Sequence, residues 1–192
     1  IIYKSCRTET EPRGFLYDRA AQTMKGEKGM RNFVITTDNT ADLPYDYYKK
    51  NQIEYLFLSY TMDGKNYQKN AEMDPGEFYR KMRQGSMPTT SQANVEETME
   101  TWRPLLDEGN DILHLAFSSG LSGSCNSARI AANELKESYP DRKITVVDSL
   151  CASLGEGLFV DYAVEMKKAG KDMEEIAGWL EEHKLNFCHV FT

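Results

Sequence analysis

Short apolar runs that alternate with helical patterns constrain this chain more than any other feature of its sequence. Residues 33–37, 112–117 and 144–147 are short runs rich in apolar and β-branched side chains, which are typical of strands. Between these runs, apolar residues recur every three or four positions, which is typical of helices that bury one face. The alternation predicts an α/β fold in which helices pack against a mostly parallel sheet.

Four loops rich in hydroxyl groups and glycine lie where a strand pattern gives way to a helical one. Their sequences are TTDNTAD (36–42), MPTTSQ (87–92), FSSGLSGS (117–124) and DSLCASLGEG (148–157). In α/β folds such loops converge outside the carboxyl ends of the strands, where ligands bind. None of the four contains Lys or Arg, so hydroxyls and the free amides of helix N-termini would hold any anion. The sequence therefore predicts a neutral site for a small carboxylate or a single phosphate.

Local signals in the sequence predict where several elements begin and end. Asn94 and Asp172 are each followed by Glu three positions later, a pattern that favours the start of a helix. Pro104 falls inside one helical pattern and predicts a kink or a break there. The apolar run at residues 53–62 predicts one continuous strand, and residues 187–192 predict a last strand.

Composition and charge exclude several classes of function. The chain has 192 residues, of which 40% are hydrophobic and 28% are charged, as in ordinary globular proteins. Its net charge of −7 argues against a surface that binds nucleic acid. No apolar run approaches the length of a membrane span, and the first residues lack the apolar stretch of a signal peptide. Four scattered cysteines without a C-x-x-C pair favour reduced thiols, and so predict a cytoplasmic protein.

Residues 1–29 differ from the rest of the chain. They mix charged residues and glycines with little periodicity, so the sequence predicts a poorly ordered extension or an artefact of the gene start. Met30 directly precedes the first strong strand pattern and is a natural starting point for the domain. A helix over residues 16–24 that docks on the domain is the alternative. We therefore expect the folded region to cover residues 30–192.

The loop at residues 117–124 has two chemical interpretations, besides that of an ordinary loop between a strand and a helix. Gly120 and Gly123 flank Ser122 just before a helical pattern, which is compatible with a nucleophilic serine. The order G-L-S-G nevertheless differs from the G-x-S-x-G of α/β hydrolases. A catalytic serine also needs a base, and His114 lies inside an apolar run, which favours a core position. An anion site needs only the hydroxyls and amides that this loop contains.

Other polar residues near these loops are weaker candidates. A cluster of hydroxyl side chains follows Pro88, and convergent polar groups of this kind are what a ligand pocket needs. Asp38 and Asp42 are too sparse for a metal site, so we expect solvated or capping roles. Cys125 is placed at a helix start, where a lowered pKa is one hypothesis and a packed thiol is the favoured one.

Taken together, the motifs resemble those of the DegV family of bacterial fatty-acid-binding proteins. The segments FVITTDNTADLP, PTTSQ, SSGLSGS with Asn126-Ser127-Ala128 after it, and VVDSLCASLGEG follow that family's order and approximate spacing. The resemblance covers about residues 30–192. Two loop positions depart from the usual pattern: Asn39 stands where Ser is usual, and Ala93 stands where Pro is usual.

The resemblance implies a two-domain α/β protein that holds one long-chain fatty acid, with the second domain only begun in this chain. It implies that the carboxylate is bound by Thr90 of the T-S-Q motif and Ser122 of the L-S-G motif. The surrounding headgroup loops would be supported by Thr89, Ser91, Ser118, Ser119, Gly120 and Gly123.

The resemblance also implies a carrier that performs no chemistry and needs neither a cofactor nor a metal. Family members of this kind present the bound acid to a separate ATP-dependent fatty acid kinase, which phosphorylates the carboxylate to an acyl phosphate. The expectation is therefore a cytoplasmic lipid-binding subunit whose partners are a fatty acid and a kinase. A serine esterase or acyltransferase that uses Ser122 is the alternative.

Overall fold

The computed structural model describes residues 31–68 and 73–189. The predicted extension at 1–29 and the end of the predicted last strand lie outside these residues. Within them the strands are β1 (Phe33–Asp38), β2 (Glu54–Leu56), β3 (Tyr60–Met62), β4 (Lys65–Tyr67), β5 (Thr89–Thr90), β6 (Asp111–Ala116) and β7 (Ile144–Asp148). The helices are α1 (Tyr45–Asn51), α2 (Pro75–Arg83), α3 (Val95–Asp107), α4 (Ser124–Ser138), α5 (Leu154–Lys168) and α6 (Met173–His183).

A parallel sheet of four strands forms the centre of the described fold. Its order is β2-β1-β6-β7, and every neighbouring pair is parallel. The predicted α/β class with a mostly parallel sheet is therefore confirmed. Because parallel strands end at the same edge, the loops that follow β1, β6 and β7 all emerge together there.

Helices cover both faces of this sheet, as the burial of its strands requires. The core on one face joins β1 and β6 to α1, α5 and α6, through residues such as Phe33, Ile35, Tyr48, Phe159 and Leu180. The core on the other face joins β6 to α3 and α4, through residues such as Met99, Trp102, Leu106, Ala128 and Leu135. No helix among the described residues is long and apolar enough to cross a bilayer.

The run at residues 53–62 is two strands in two sheets, so the prediction of one continuous strand is wrong. β2 pairs with β1 in the parallel sheet, whereas β3 pairs with β4 and β5 in a small antiparallel sheet. Between them, the Leu58 N–H donates to the Asn39 side chain at 2.8 Å, which fixes the chain where it leaves the first sheet. The turn at Asp63-Gly64 then folds β4 back on β3 as an antiparallel hairpin.

The helix starts predicted at Asn94 and Asp172 are confirmed, because both residues form complete capping boxes. Of the kink or break predicted at Pro104, the break is wrong, because α3 continues through this residue to Asp107. Trp102 and Leu106 bury this part of α3 against the sheet, which offsets the hydrogen bond that Pro104 cannot donate.

The predicted last strand is not formed over its described part. Residues 187–189 are irregular and follow a short 3-10 turn at Lys184–Asn186. Phe187 instead packs its ring edge-on against Phe159 and Tyr162, so apolar contacts with α5 replace strand pairing.

Candidate ligand site at the carboxyl ends of the strands

Two of the predicted hydroxyl loops meet at this edge of the sheet. We call residues 87–93 the threonine loop and residues 117–124 the serine loop. The Ala93 N–H of the threonine loop donates to the Ser124 hydroxyl at 3.2 Å. The side chain of Gln92 lies against Gly123 so closely that any Cβ at Gly123 would collide with it. Glycine at 123 therefore leaves room for the Gln92 side chain in this position.

The threonine loop belongs to the small antiparallel sheet. Thr90 pairs with Tyr60 of β3, and the Ser91 N–H donates to the Ser59 carbonyl at 2.8 Å. Thr89, Thr90 and Ser91 are all exposed. The backbone of this loop is thus fixed by strand pairing, while its hydroxyls face outward.

Acidic side chains at the ends of β1 and β7, the strands on either side of β6, hold the backbone of the serine loop. The Phe117 N–H donates to Asp38 at 2.7 Å, and the Ser119 N–H donates to Asp148 at 3.1 Å. Asp148 also accepts the Leu150 N–H at 3.1 Å. Burial raises the pKa of Asp148, but the hydrogen bonds from Ser119 and Leu150 outweigh it and lower the pKa below its usual value. The loop is therefore fixed from β1 on one side and from β7 on the other.

The backbone amides of the serine loop are mostly occupied within the protein. The Ser118 N–H donates to the Cys151 carbonyl, and those of Leu121 and Ser122 donate to the Ser118 carbonyl. The Ser124 N–H donates to the Ser122 hydroxyl at 3.2 Å. The expectation that free amides would help to hold an anion is wrong at these four positions. At these positions, side-chain hydroxyls are the donors that the loop can offer to a ligand.

The predicted site residues of the serine loop differ in exposure. Ser118 is buried and accepts the Gly120 N–H at 3.3 Å, whereas Ser119 and Gly120 are exposed. Ser122 is half-buried, and its hydroxyl lies 3.0 Å from that of Ser124. Leu121 beside it is 62% exposed, so the loop presents an apolar side chain next to its polar one.

Two buried carboxyl groups beneath these loops were not predicted from the sequence. Asp38 is fully buried, so the expectation of a solvated or capping role is wrong for it. Glu156 in the first turn of α5 is also fully buried and accepts the hydroxyls of Thr37 at 3.0 Å and Thr40 at 2.8 Å. No local sequence signal marked either acid as buried, because the groups they contact, Phe117 and Thr37, lie 79 and 119 residues away in the chain.

Burial gives these two acids unusual proton affinity. Burial raises the pKa of Asp38 to about 7, although the hydrogen bond from the Phe117 N–H lowers this pKa in part. Burial, and then the nearby charge of Asp38, raises the pKa of Glu156 well above its usual value. One oxygen of Asp38 has no hydrogen-bond partner among the described residues. Both buried carboxyl groups therefore bind a proton more readily than an exposed acid does.

The geometry does not support a serine nucleophile. His114 is fully buried with its Nδ1 atom 3.0 Å from the Thr36 hydroxyl, and burial lowers its pKa to about 3. The prediction that His114 belongs to the core is therefore confirmed. The Ser122 hydroxyl is instead bonded to Ser124, which is not a base.

Cys125 is a packed thiol, and the described residues form no cluster suited to a metal ion. Burial raises the pKa of the Cys125 thiol to about 11, so the hypothesis of a lowered pKa is wrong and the packed thiol is confirmed. Among residues 31–68 and 73–189, no group of three or more His, Cys, Asp or Glu side chains is arranged to hold a metal ion.

Comparisons with known sequences agree with this fold. The family described as "Uncharacterised protein, DegV family" matches residues 32–192. A DegV domain-containing protein of Clostridium perfringens is 48% identical over 165 residues, covering 85% of this chain and 57% of the relative. A DegV domain-containing protein of Lactococcus lactis is 37% identical over 145 residues, covering 74% of this chain and 50% of the relative. The chain thus spans about half the length of the curated relatives it matches.

Solved structures show the same similarity. A DegV family protein from Thermus thermophilus, described for its fatty acid binding, has a TM-score of 0.71 at 35% identity, covering 80% of this chain and 54% of that chain. A stearic acid-binding protein from Eubacterium ventriosum has a TM-score of 0.73 at 28% identity, covering 78% of this chain and 52% of that chain. With a family match over residues 32–192 and this shared fold, the chain belongs to the DegV family.

Proposed function

We propose that this protein, in its full-length form, binds one long-chain fatty acid whose carboxylate is held by the hydroxyls of Thr90 and Ser122. The observation that carries the proposal is the contact between the threonine and serine loops at the carboxyl edge of the parallel sheet. The similar proteins from Thermus thermophilus and Eubacterium ventriosum, described as binding fatty acid and stearic acid, support it.

The chemistry of the two loops suits a carboxylate bound without an ion pair. Neither loop contains Lys or Arg, and Thr89, Ser91, Ser118, Ser119, Gly120 and Gly123 shape the backbone around the two donors. A hydrogen bond to a charged group contributes about 1.5–3 kcal/mol. Two such bonds orient the headgroup, and burial of the acyl chain supplies the larger part of the affinity at about 0.8 kcal/mol per CH₂.

We further propose that the protein is a carrier that presents the carboxylate to a separate ATP-dependent fatty acid kinase in the cytoplasm. The loops that hold the headgroup contain exposed residues, among them Thr90 and Leu121, so a partner can reach this end. Release of a long acyl chain into water is unfavourable, because the transfer of each CH₂ group from the protein to water costs about 0.8 kcal/mol of free energy. Phosphorylation of the acid on its carrier avoids this release, and no catalytic residue of the carrier is required.

An assay with purified components tests the carrier role. The full-length protein loaded with fatty acid, the fatty acid kinase of the same organism and ATP should together form acyl phosphate. The kinase with free fatty acid, and the loaded protein with ATP alone, are the controls and should form almost none. Equal turnover of free fatty acid by the kinase, or turnover by this protein alone, would refute the carrier role.

A further inference from the structure

The hydroxyl of Ser124 connects the threonine loop to the proposed headgroup donor. Ser124 begins α4 and is fully buried. Its oxygen accepts the Ala93 N–H at 3.2 Å and lies 3.0 Å from the oxygen of Ser122. The Ser122 oxygen in turn accepts the Ser124 N–H at 3.2 Å. Two hydroxyls and two backbone amides thus form one continuous chain of hydrogen bonds.

Burial decides which of the two hydroxyls donates to the other. A hydroxyl has one proton and two acceptor positions. The Ser124 proton is inside the protein and needs an acceptor there, since an unmade buried hydrogen bond is costly. The Ser122 oxygen at 3.0 Å is the acceptor that the described residues provide. Ser122 is only half-buried, so its own proton can be directed outward to solvent or to a ligand.

We infer that Ser124 is a positioning residue that fixes Ser122 as a hydrogen-bond donor toward the headgroup. Both acceptor positions of the Ser122 oxygen are filled, one by the Ser124 hydroxyl and one by the Ser124 N–H. Ser122 then has only a proton to offer, which suits a pure acceptor such as an ionised carboxylate. The ordered chain from the Ala93 N–H through both hydroxyls also polarises that last proton.

This inference rests on the proposed function and adds a source of selectivity to it. An ionised acid accepts the Ser122 proton at full strength, whereas the hydroxyl of a fatty alcohol is a neutral and weaker acceptor. Ser124 should therefore contribute to the preference for the acid over the alcohol, although it does not touch the ligand. A merely structural role would affect both ligands equally.

The experiment uses the full-length protein and displacement of a fluorescent fatty acid by palmitic acid and by hexadecanol. Ser124→Ala should weaken palmitic acid binding about three- to tenfold, the effect of one neutral hydrogen bond, and weaken hexadecanol binding less. Ser124→Thr retains the hydroxyl and should restore the acid-to-alcohol ratio of the wild type. Ser124→Cys keeps a side chain of similar size but replaces the hydroxyl with a poor hydrogen-bond donor. It should show the same loss of affinity that is expected of Ser124→Ala, and it serves as the test if the Ala variant does not fold.

Ser127→Ala is the matched control. Ser127 is a second buried serine on α4 and faces the same loop through a long 3.5 Å contact with Gln92. In Ser127→Ala, the ratio of the affinity for palmitic acid to the affinity for hexadecanol should stay at the wild-type value. Equal losses of affinity for acid and alcohol in Ser124→Ala, or no loss of affinity for the acid, would overturn the inference. The proposed function would still stand in that case, provided that the wild-type protein binds the acid. A wild-type protein that binds no acid would overturn both.

Discussion

At the scale of single residues, the proposed headgroup contact depends on the hydroxyls of Thr90 and Ser122. A hydrogen bond to a charged carboxylate contributes about 1.5–3 kcal/mol, and about 1.4 kcal/mol corresponds to a tenfold change in affinity. Thr90→Ala and Ser122→Ala in the full-length protein should each weaken fatty acid binding about tenfold or more. Titration with a fluorescent fatty acid measures this change.

Ser138→Ala is the control for these two variants, because Ser138 is exposed at the opposite end of α4. It should bind the acid as the wild type does. Thermal unfolding should be close to normal for all three variants, since Thr90 is exposed and Ser122 is only half-buried. Unchanged affinity in both Thr90→Ala and Ser122→Ala would mean that the carboxylate is bound elsewhere.

The buried acid pair makes the stability of the fold depend on pH. The folded-state pKa of Asp38 is about 7, against an ordinary value of 3.8, and that of Glu156 is also raised. The folded state therefore holds protons that the unfolded chain has released, and its stability falls as pH rises from about 4 through about 7. Glu156→Gln removes one of these groups, so its melting temperature should fall less over this range than that of the wild type.

Glu165→Gln is the matched control for this prediction, because Glu165 is an exposed acid on the same helix and pairs with Lys168. Circular dichroism melting of the three proteins across the pH series makes the comparison. Glu165→Gln should follow the wild-type curve, while Glu156→Gln should be the more stable protein at neutral pH. Parallel curves for Glu156→Gln and the wild type would contradict a raised pKa for Glu156 in the folded state.

At the scale of elements, local signals predicted what local interactions determine. The capping boxes at Asn94 and Asp172 close within four residues, so the sequence alone was sufficient to place both helix starts. The split at residues 53–62 depends on pairing with strands elsewhere in the chain, which an apolar run does not reveal. Strand pairing over longer distances decided the topology.

The same distinction holds for the candidate site. The position of the serine loop at the carboxyl edge could be predicted, because loops after parallel strands converge there. The threonine loop reaches this edge from the small antiparallel sheet, which its hydroxyl motif did not reveal. The burial of Asp38 and Glu156 could not be predicted, since their partners Phe117 and Thr37 are 79 and 119 residues away in sequence. The role inferred for Ser124 likewise needs the contact with Ala93, 31 residues earlier.

Two helical glycines give a direct test of how closely α5 packs on the loop after β1. A Cβ at Gly157 would lie 2.6 Å from the Ala41 carbonyl oxygen, which belongs to the backbone and cannot rotate away. Gly157→Ala should therefore destabilise the fold by about 1–3 kcal/mol, the usual cost of overpacking. Urea unfolding measures this free energy.

Gly178→Ala is the control, because Gly178 is also helical but has no heavy atom within 4 Å of an added Cβ. Alanine is favoured over glycine in helices by roughly 0.5–1 kcal/mol, so this variant should be slightly more stable than the wild type. Equal stability of the Gly157→Ala and Gly178→Ala proteins would show that α5 does not pack against Ala41 as described.

At the scale of the whole molecule, the chain supplies one α/β unit of a longer family fold. It spans 54% of the similar Thermus thermophilus structure and 57% of the Clostridium perfringens relative. The threonine and serine loops both lie within it, and Leu121 and Met87 beside them are 62% and 82% exposed. We therefore expect the remainder of the full-length protein to complete the acyl-binding surface, and full-length protein is the material for every binding experiment.

The central claim is that the full-length protein carries a fatty acid. Organic extraction of the purified, folded protein, followed by mass spectrometry against an internal standard, measures the bound lipid directly. The account predicts about one long-chain fatty acid per protein molecule, as expected when a long acyl chain is buried at about 0.8 kcal/mol per CH₂. Folded full-length protein that carries no stoichiometric acyl chain, and takes none up when fatty acid is added, would contradict it.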